Sequence, residues 1–241
     1  MFTIDIAGMK IRVNNRFDLI REKCADYITE DTNNPDLVME ASPERIRHSL
    51  EWKMLVDHER ITEEEGEFDA APYTVYGQMT PFDAFWLHSV LLEADGVGYA
   101  FSAPPGYGKS THARLWMKAF GDEVRVINGD NPVIRLRDGV FYGYGTPFCG
   151  KEGDQVNTRV PVAGVCFLKR AENNSIAPMS PALACAHMLR ENTCIKEKDA
   201  EDYIALCSRF LEKVPAFVLS CNTDISAAFT AREGLRRYTG R

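Results

Sequence analysis

The sequence predicts an α/β protein built around a phosphate-binding loop, with a mixed β-sheet, a β-rich N-terminal region and a helical C-terminal part. Three observations predict it. The stretch FSAPPGYGKST, residues 101–111, lies between an apolar run at 97–102 and a helix-compatible run at 110–119, which is the strand, glycine-rich turn and helix order of a Walker A loop. Apolar, strand-like runs flank it at 86–93, 124–127, 132–136, 140–144, 160–169 and 217–221. The segments 181–190, 199–214 and 224–238 carry helical spacing, with Tyr203, Leu206, Phe210 and Leu211 on one face.

The loop needs these residue types. Gly106 and Gly108 let the backbone curl so that successive N–H groups converge as an anion nest, and the positive end of the following helix faces the same anion. Gly106, Tyr107, Gly108, Lys109, Ser110 and Thr111 are therefore the expected nucleotide-binding residues. Lys109 reaches the terminal phosphates of ATP as a point charge, and the Ser110 hydroxyl ligates Mg²⁺. The loop departs from the usual pattern twice: Ala103 stands where the first glycine is expected, and Pro104 and Pro105 lack backbone donors. The donors from Gly106 to Ser110 remain. A plain glycine turn capping a helix would leave the Lys-Ser order unexplained.

Composition bounds the partners. The chain has 241 residues, 45% hydrophobic and 26% charged, with a net charge of −7, enough for one sizeable core or one domain with an extension. That charge argues against a nucleic-acid partner, which wants clustered Lys and Arg. No apolar run approaches the length of a membrane span. Cysteines 24, 149, 166, 185, 194, 207 and 221 are scattered without CxxC pairs, and MFTIDIAGMKIRV alternates rather than forming a signal sequence, so a reducing cytoplasm is expected.

Along the chain, residues 2–13 alternate around Gly8 and read as a hairpin. Residues 16–27 are compatible with a helix, 32–35 with a loop, and 35–41 and 50–56 with strands, while Ser42-Pro43-Glu44 starts a helix or turn. The acidic run EEEGEFD at 63–69 reads as a solvated loop or turn. His88 sits in the strand candidate WLHSVLLE, joined by Ala94-Asp95-Gly96 to the strand feeding the loop. A hairpin there places His88 on the sheet that carries Lys109. The strand at 124–127 ends in Asn128-Gly129-Asp130, and an acid at a strand end beside a phosphate loop is a Mg²⁺ partner. Asp130 before Asn131-Pro132 also suits a turn. Residues 143–153, GYGTPFCGKEG, form a glycine-rich segment without periodicity, more often functional than idle. Lys151 and Arg159 are either substrate-anchoring cations or solvated surface charges. His187 and Cys207 read as core or surface residues.

The stretch LHSVLLEADGVGYAFSAPPGYGKSTHARLW followed by VINGDNPVI resembles the catalytic domain of HPr kinase/phosphorylase and the phosphoenolpyruvate-carboxykinase-like P-loop fold to which it belongs. GYGTPFCGK resembles the GTPW-type loop of small HPr-kinase-like proteins, including kinases found with ribosomal-peptide maturation systems. The likeness covers residues 87–151, and the N-terminal domain of true HPr kinases is not evident. It implies a catalytic domain over 81–241 and a β-rich region over 1–80 packed on it. It also implies that Lys109 and Ser110 occupy the nucleotide and Mg²⁺ positions. His88 matches a histidine that contacts the transferred phosphate or metal, and Asp130 the second acid of an Asp-Asp pair. The first acid, assigned as the base in those enzymes, is Gly129 here. Ring-forming relatives imply a homo-oligomer.

The leading expectation is an ATP- and Mg²⁺-dependent kinase acting on a hydroxyl-bearing small molecule, peptide or protein, with His88, Lys109 and Asp130 as catalytic residues. With Gly129 in the first acid's place, either His88 or Asp130 is the base, or the acceptor needs none, or the protein is a nucleotide-binding regulator without transfer. Phosphoenolpyruvate carboxykinase activity ranks below both, because the chain is short and lacks a clear set of arginines for oxaloacetate.

Overall fold

The computed structural model describes residues 1–192 and 195–240, so Cys194 lies outside the described residues. The chain opens with β1 (Phe2–Ile6) and β2 (Met9–Val13), an antiparallel pair turning at Ala7-Gly8, and β3 (Leu37–Met39) lies parallel to β2. Both turn residues take positive φ, 57° and 74°, the geometry of a tight hairpin turn. Between and after these strands come α1 (Leu19–Lys23), α2 (Pro43–Trp52), α3 (Glu63–Ala70) and α4 (Tyr73–Tyr76).

A second, nine-stranded sheet follows. It contains β4 (Ala84–Trp86), β5 (Ser89–Ala94), β6 (Val97–Ser102), β7 (Val124–Asn128), β8 (Val133–Arg137), β9 (Val140–Tyr144), β10 (Arg159–Arg170), β11 (Ser175–Pro178) and β12 (Ala216–Cys221). Four helices join them: α5 (Lys109–Phe120), α6 (Pro181–Glu191), α7 (Ala200–Lys213) and α8 (Ser226–Thr239). The long strand β10 is shared by both halves. Its first residues pair antiparallel with β9, its middle runs parallel to β6, and its end runs parallel to β12. The sheet is thus mixed, as expected.

Alternation along the strands makes three layers. Val90, Leu92, Tyr99 and Phe101 pack with Trp116 of α5 and Leu235 of α8. Leu91, Ala100 and Phe167 face the other way, onto Tyr203, Leu206 and Phe210 of α7. The helical face anticipated on α7 is that one. A third core joins the small sheet to α2–α4 and takes in Ala84, Trp86, Val133 and Phe148 of the large sheet and its loops, so packing continues across residue 80.

Several sequence expectations are corrected. The first 80 residues are at least as helical as they are β. The acidic run is helix α3, because Thr62 and Glu65 form a reciprocal capping box and three glutamates occupy the first turn, where the helix dipole favours them. Glu67 of the same run is 1% exposed and accepts the backbone N–H groups of Arg16 and Phe17. Residues 50–56 are helical, not extended: Ser42 caps α2, Ile46 and Leu50 lie against Gly66 of α3, and the chain continues into a wide helical turn, Lys53–Asp57. Residues 16–27 hold only α1 and a short 3₁₀ turn, Ala25–Tyr27. Strand β11, unanticipated, pairs with β12. Among the described residues, no helix is long and apolar enough to cross a membrane, and the six cysteines are free thiols.

His112 of α5 is 2% exposed, accepts the Trp116 indole N–H at 2.9 Å, and has no partner for Nδ1 among the described residues. Burial pulls its pKa from 6.5 down to about 4. The unfolded chain therefore binds the extra proton first, and stability is lost as pH falls from 6.5 towards 4. Going from pH 8 to pH 5, this group should remove about 2 kcal/mol. Denaturant unfolding should show the gap between wild type and His112→Gln narrowing by that amount across the interval. A pH-independent gap would contradict a neutral buried His112.

Candidate active site

The site forms where β6, β7, the β4–β5 junction and the end of α6 meet. β6 ends at Ser102, and the loop 103–108 turns through Gly106 and Gly108, whose φ values of 74° and 103° favour glycine. Tyr107 N–H donates to the Pro104 carbonyl at 3.1 Å and closes the turn. Gly108 caps α5 without a side-chain hydrogen bond, and the first-turn N–H groups of a helix have no intrahelical acceptor. Lys109, Ser110 and Thr111 stand at that open end.

Lys109 is only 7% exposed. Its Nζ lies 2.7 Å from His88 Nε2, 3.2 Å from the Ala103 carbonyl and 3.6 Å from Asp130 Oδ1. His88 is not inside a strand. It occupies the break between β4 and β5, where Leu87 N–H donates to the Pro132 carbonyl and Ser89 N–H to that of Asp130. Its Nε2 is 3.3 Å from Asp130 Oδ1, and its Nδ1 is 3.3 Å from Glu191 Oε2 at the end of α6. The next residue, Asn192, accepts the Trp86 indole N–H at 2.9 Å, which ties the helix end to β4.

The electrostatics follow. Burial drags Lys109 below the usual lysine range despite the attraction of Asp130 and Glu191. Burial also opposes protonation of His88, but its hydrogen bonds to Asp130 and Glu191 outweigh this and raise its pKa. Burial alone would raise Asp130, yet His88 and Lys109 hold it below the ordinary carboxylate range. Glu191 is lowered by its bond to His88. For the pair Lys109–Asp130 the direction that governs is that of Asp130: a carboxylate facing two basic groups stays ionised.

Asn128, fully buried at the end of β7, builds the turn that presents Asp130. Its Oδ1 accepts the N–H groups of Asp130 and Asn131 at 2.9 and 2.7 Å, and its Nδ2 donates to the carbonyl and hydroxyl oxygens of Thr146 at 3.0 and 3.1 Å. The glycine-rich segment is thereby locked over the strand end: Gly129 N–H donates to the Asp154 carbonyl at 2.9 Å. A Cβ on Gly129 would stand 2.6 Å from the Cys149 carbonyl oxygen. A side chain at position 129 would require that backbone to move.

These groups open into a cleft of about 2170 Å³, lined on its far side by Arg45, Trp52 and Phe68 of α2 and α3 and by Lys196 and Asp202 beyond α6. Ser110, Thr111 and Asp130 all line it. Among the described residues no three His, Cys, Asp or Glu side chains could hold a metal alone. A magnesium ion would draw on Ser110 and Asp130 for protein oxygens and would supply positive charge beside the phosphates. The buried cation, the uncapped helix start and a hydroxyl and a carboxylate lining the same cleft suit a magnesium nucleotide.

The expected site residues do not all converge. His88, Lys109 and Asp130 do. Lys151 lies on the rim of the cleft in an ion pair with Glu59. Arg159 does not line it: as the first residue of β10 it lies over the Tyr142 ring, 4.6 Å from its centroid, and donates to Tyr144 Oη. Tyr107 is half-exposed beneath Arg170. Sequence reasoning missed Glu191 and Asn128. Nothing local marks Glu191, about 100 residues from His88, whereas an Asn opening a strand-end turn was a readable signal.

No protein-family model matches the chain, and no curated protein matches it. Among solved structures, the HPr(Ser) kinase/phosphatase from Coxiella burnetii is similar over 64% of this chain and 97% of its own, at 12% identity and a TM-score of 0.38. A score that low establishes neither a shared fold nor a shared activity.

Gly129→Asp should destabilise the protein by roughly 1–3 kcal/mol, because its Cβ must displace backbone. Denaturant unfolding checks this. Unchanged stability would mean that residues 149–154 do not close on Gly129.

Proposed function

We propose that this protein is a Mg-ATP-dependent kinase that passes a phosphoryl group to a hydroxyl acceptor, a small molecule, peptide or protein. The observation that carries the reading is the buried Lys109 ammonium at the start of an uncapped helix, within 2.7 Å of His88 and 3.6 Å of Asp130. When bound, Mg-ATP supplies the transferable phosphoryl group and a divalent charge to neutralise it. The chain's residues do the rest by positioning and charge. The N–H groups of Gly106, Gly108, Lys109, Ser110 and Thr111 and the Lys109 ammonium would hold the phosphates, and Ser110 and Asp130 the metal side; Tyr107, expected among the binding residues, spends its N–H on the Pro104 carbonyl and stands outside the cleft lining. Either His88 or Asp130 would take the proton of the acceptor hydroxyl. Lys151, which lines the cleft in an ion pair with Glu59, would anchor the acceptor.

A second reading, a nucleotide-binding regulator without transfer, is favoured by one observation: Gly129 leaves no room for the acid that the resemblance associates with the base. ADP formation separates the two. Wild type with Mg-ATP should form ADP slowly with water as acceptor, and Lys109→Ala should reduce the rate roughly a hundredfold. Tight binding with no ADP formed, with or without added hydroxyl acceptors, would favour the regulator.

A further inference from the structure

Arg170 is the last residue of β10, and it is fixed there: its backbone pairs with Cys221 of β12, and Ala171 N–H donates to the Cys221 carbonyl at 3.0 Å. Phe167, three residues earlier, pairs with Ser102, the last residue of β6. The Arg170 side chain therefore starts from a rigid ladder one strand away from the phosphate loop. Its Nη2 donates to the Gly106 carbonyl at 2.5 Å, and its guanidinium lies 4.9 Å from the centre of the Tyr107 ring.

The loop tip needs such a support. A Cβ on Gly106 or Gly108 would meet nothing within 4 Å, so the tip stands clear of the core. Pro104 and Pro105 have no N–H to tie it down. At its base the loop is held by Lys109 Nζ on the Ala103 carbonyl and by the Tyr107–Pro104 turn. Nest geometry requires the carbonyls to point away while the N–H groups converge. A cation pulling the Gly106 carbonyl outward selects that arrangement. Neither Arg170 nor Tyr107 lines the cleft, so Arg170 acts from outside it, through the loop backbone.

We propose that Arg170 is a positioning residue that holds the phosphate loop in its anion-receiving form, with its guanidinium bound to the Gly106 carbonyl and seated on Tyr107. The consequence for nucleotide binding rests on the kinase reading above; the effect on the loop does not. A loop held in the competent form spares the ligand the work of selecting it.

The test uses the full chain as wild type, Arg170→Met and Arg170→Lys, with two measurements. The first is the ¹⁵N heteronuclear NOE of residues 106–109 without ligand. The second is titration with magnesium tripolyphosphate and, separately, Mg-ATP. Arg170→Met should lower the NOE at those residues while leaving the melting temperature unchanged. It should weaken tripolyphosphate and ATP by the same factor, roughly fivefold for an exposed contact. Arg170→Lys, which keeps a donor and a charge, should recover most of both. An unchanged NOE in Arg170→Met would overturn the proposal. So would a loss confined to ATP, since the side chain would then contact base or sugar rather than shape the loop. If wild type binds neither ligand while the methionine variant still loosens residues 106–109, the nucleotide reading fails and the structural role of Arg170 stands.

Discussion

The structure turns on one buried charge. Lys109 sits at the start of α5 with little of its surface exposed, and an ammonium in that position is costly unless paired and hydrogen-bonded. Two segments distant in sequence and the loop itself supply its partners: His88 from the β4–β5 break, Asp130 from the turn after β7, and the Ala103 carbonyl. Each is held by its own supports, Glu191 for His88 and Asn128 for Asp130. The charged groups hold one another in place.

His88 occupies the break in the sheet between β4 and β5, and there its ring meets Lys109 and Asp130 through Nε2 and Glu191 through Nδ1. The break leaves the backbone on either side of His88 bonded to the segment carrying Asp130. The glycine-rich segment after β9 then closes over the same strand end, and Gly129 is the residue small enough to let it. Residues of the N-terminal helices also line the cleft.

Much of this was legible in the sequence. The glycine-rich loop is a local signal, since its glycines, lysine and helix start are contiguous; alternation marked β1 and β2, and apolar runs marked β6, β8 and β9. The C-terminal helices followed from their apolar spacing. What was not legible depends on distant partners. The acidic run at 63–69 reads as solvated until Glu67 is seen to hold the backbone of Arg16 and Phe17. Residues 50–56 look extended until Ile46 and Leu50 are seen against Gly66. Arg159 looked available because its place at the start of β10, over the Tyr142 ring of β9, could not be read from one chain segment. Glu191 carries no motif; it matters because α6 ends beside His88.

The central claim is that Lys109 and the loop before it hold the phosphates of a magnesium nucleotide, and thermal unfolding tests it most directly. Mg-ATP at about 100 times its Kd should stabilise the wild type by roughly 2.7 kcal/mol, a rise of several degrees in Tm. The rise should require magnesium and vanish in Lys109→Ala. No rise with ATP, GTP, ADP or pyrophosphate, or an equal rise in Lys109→Ala, would contradict the account.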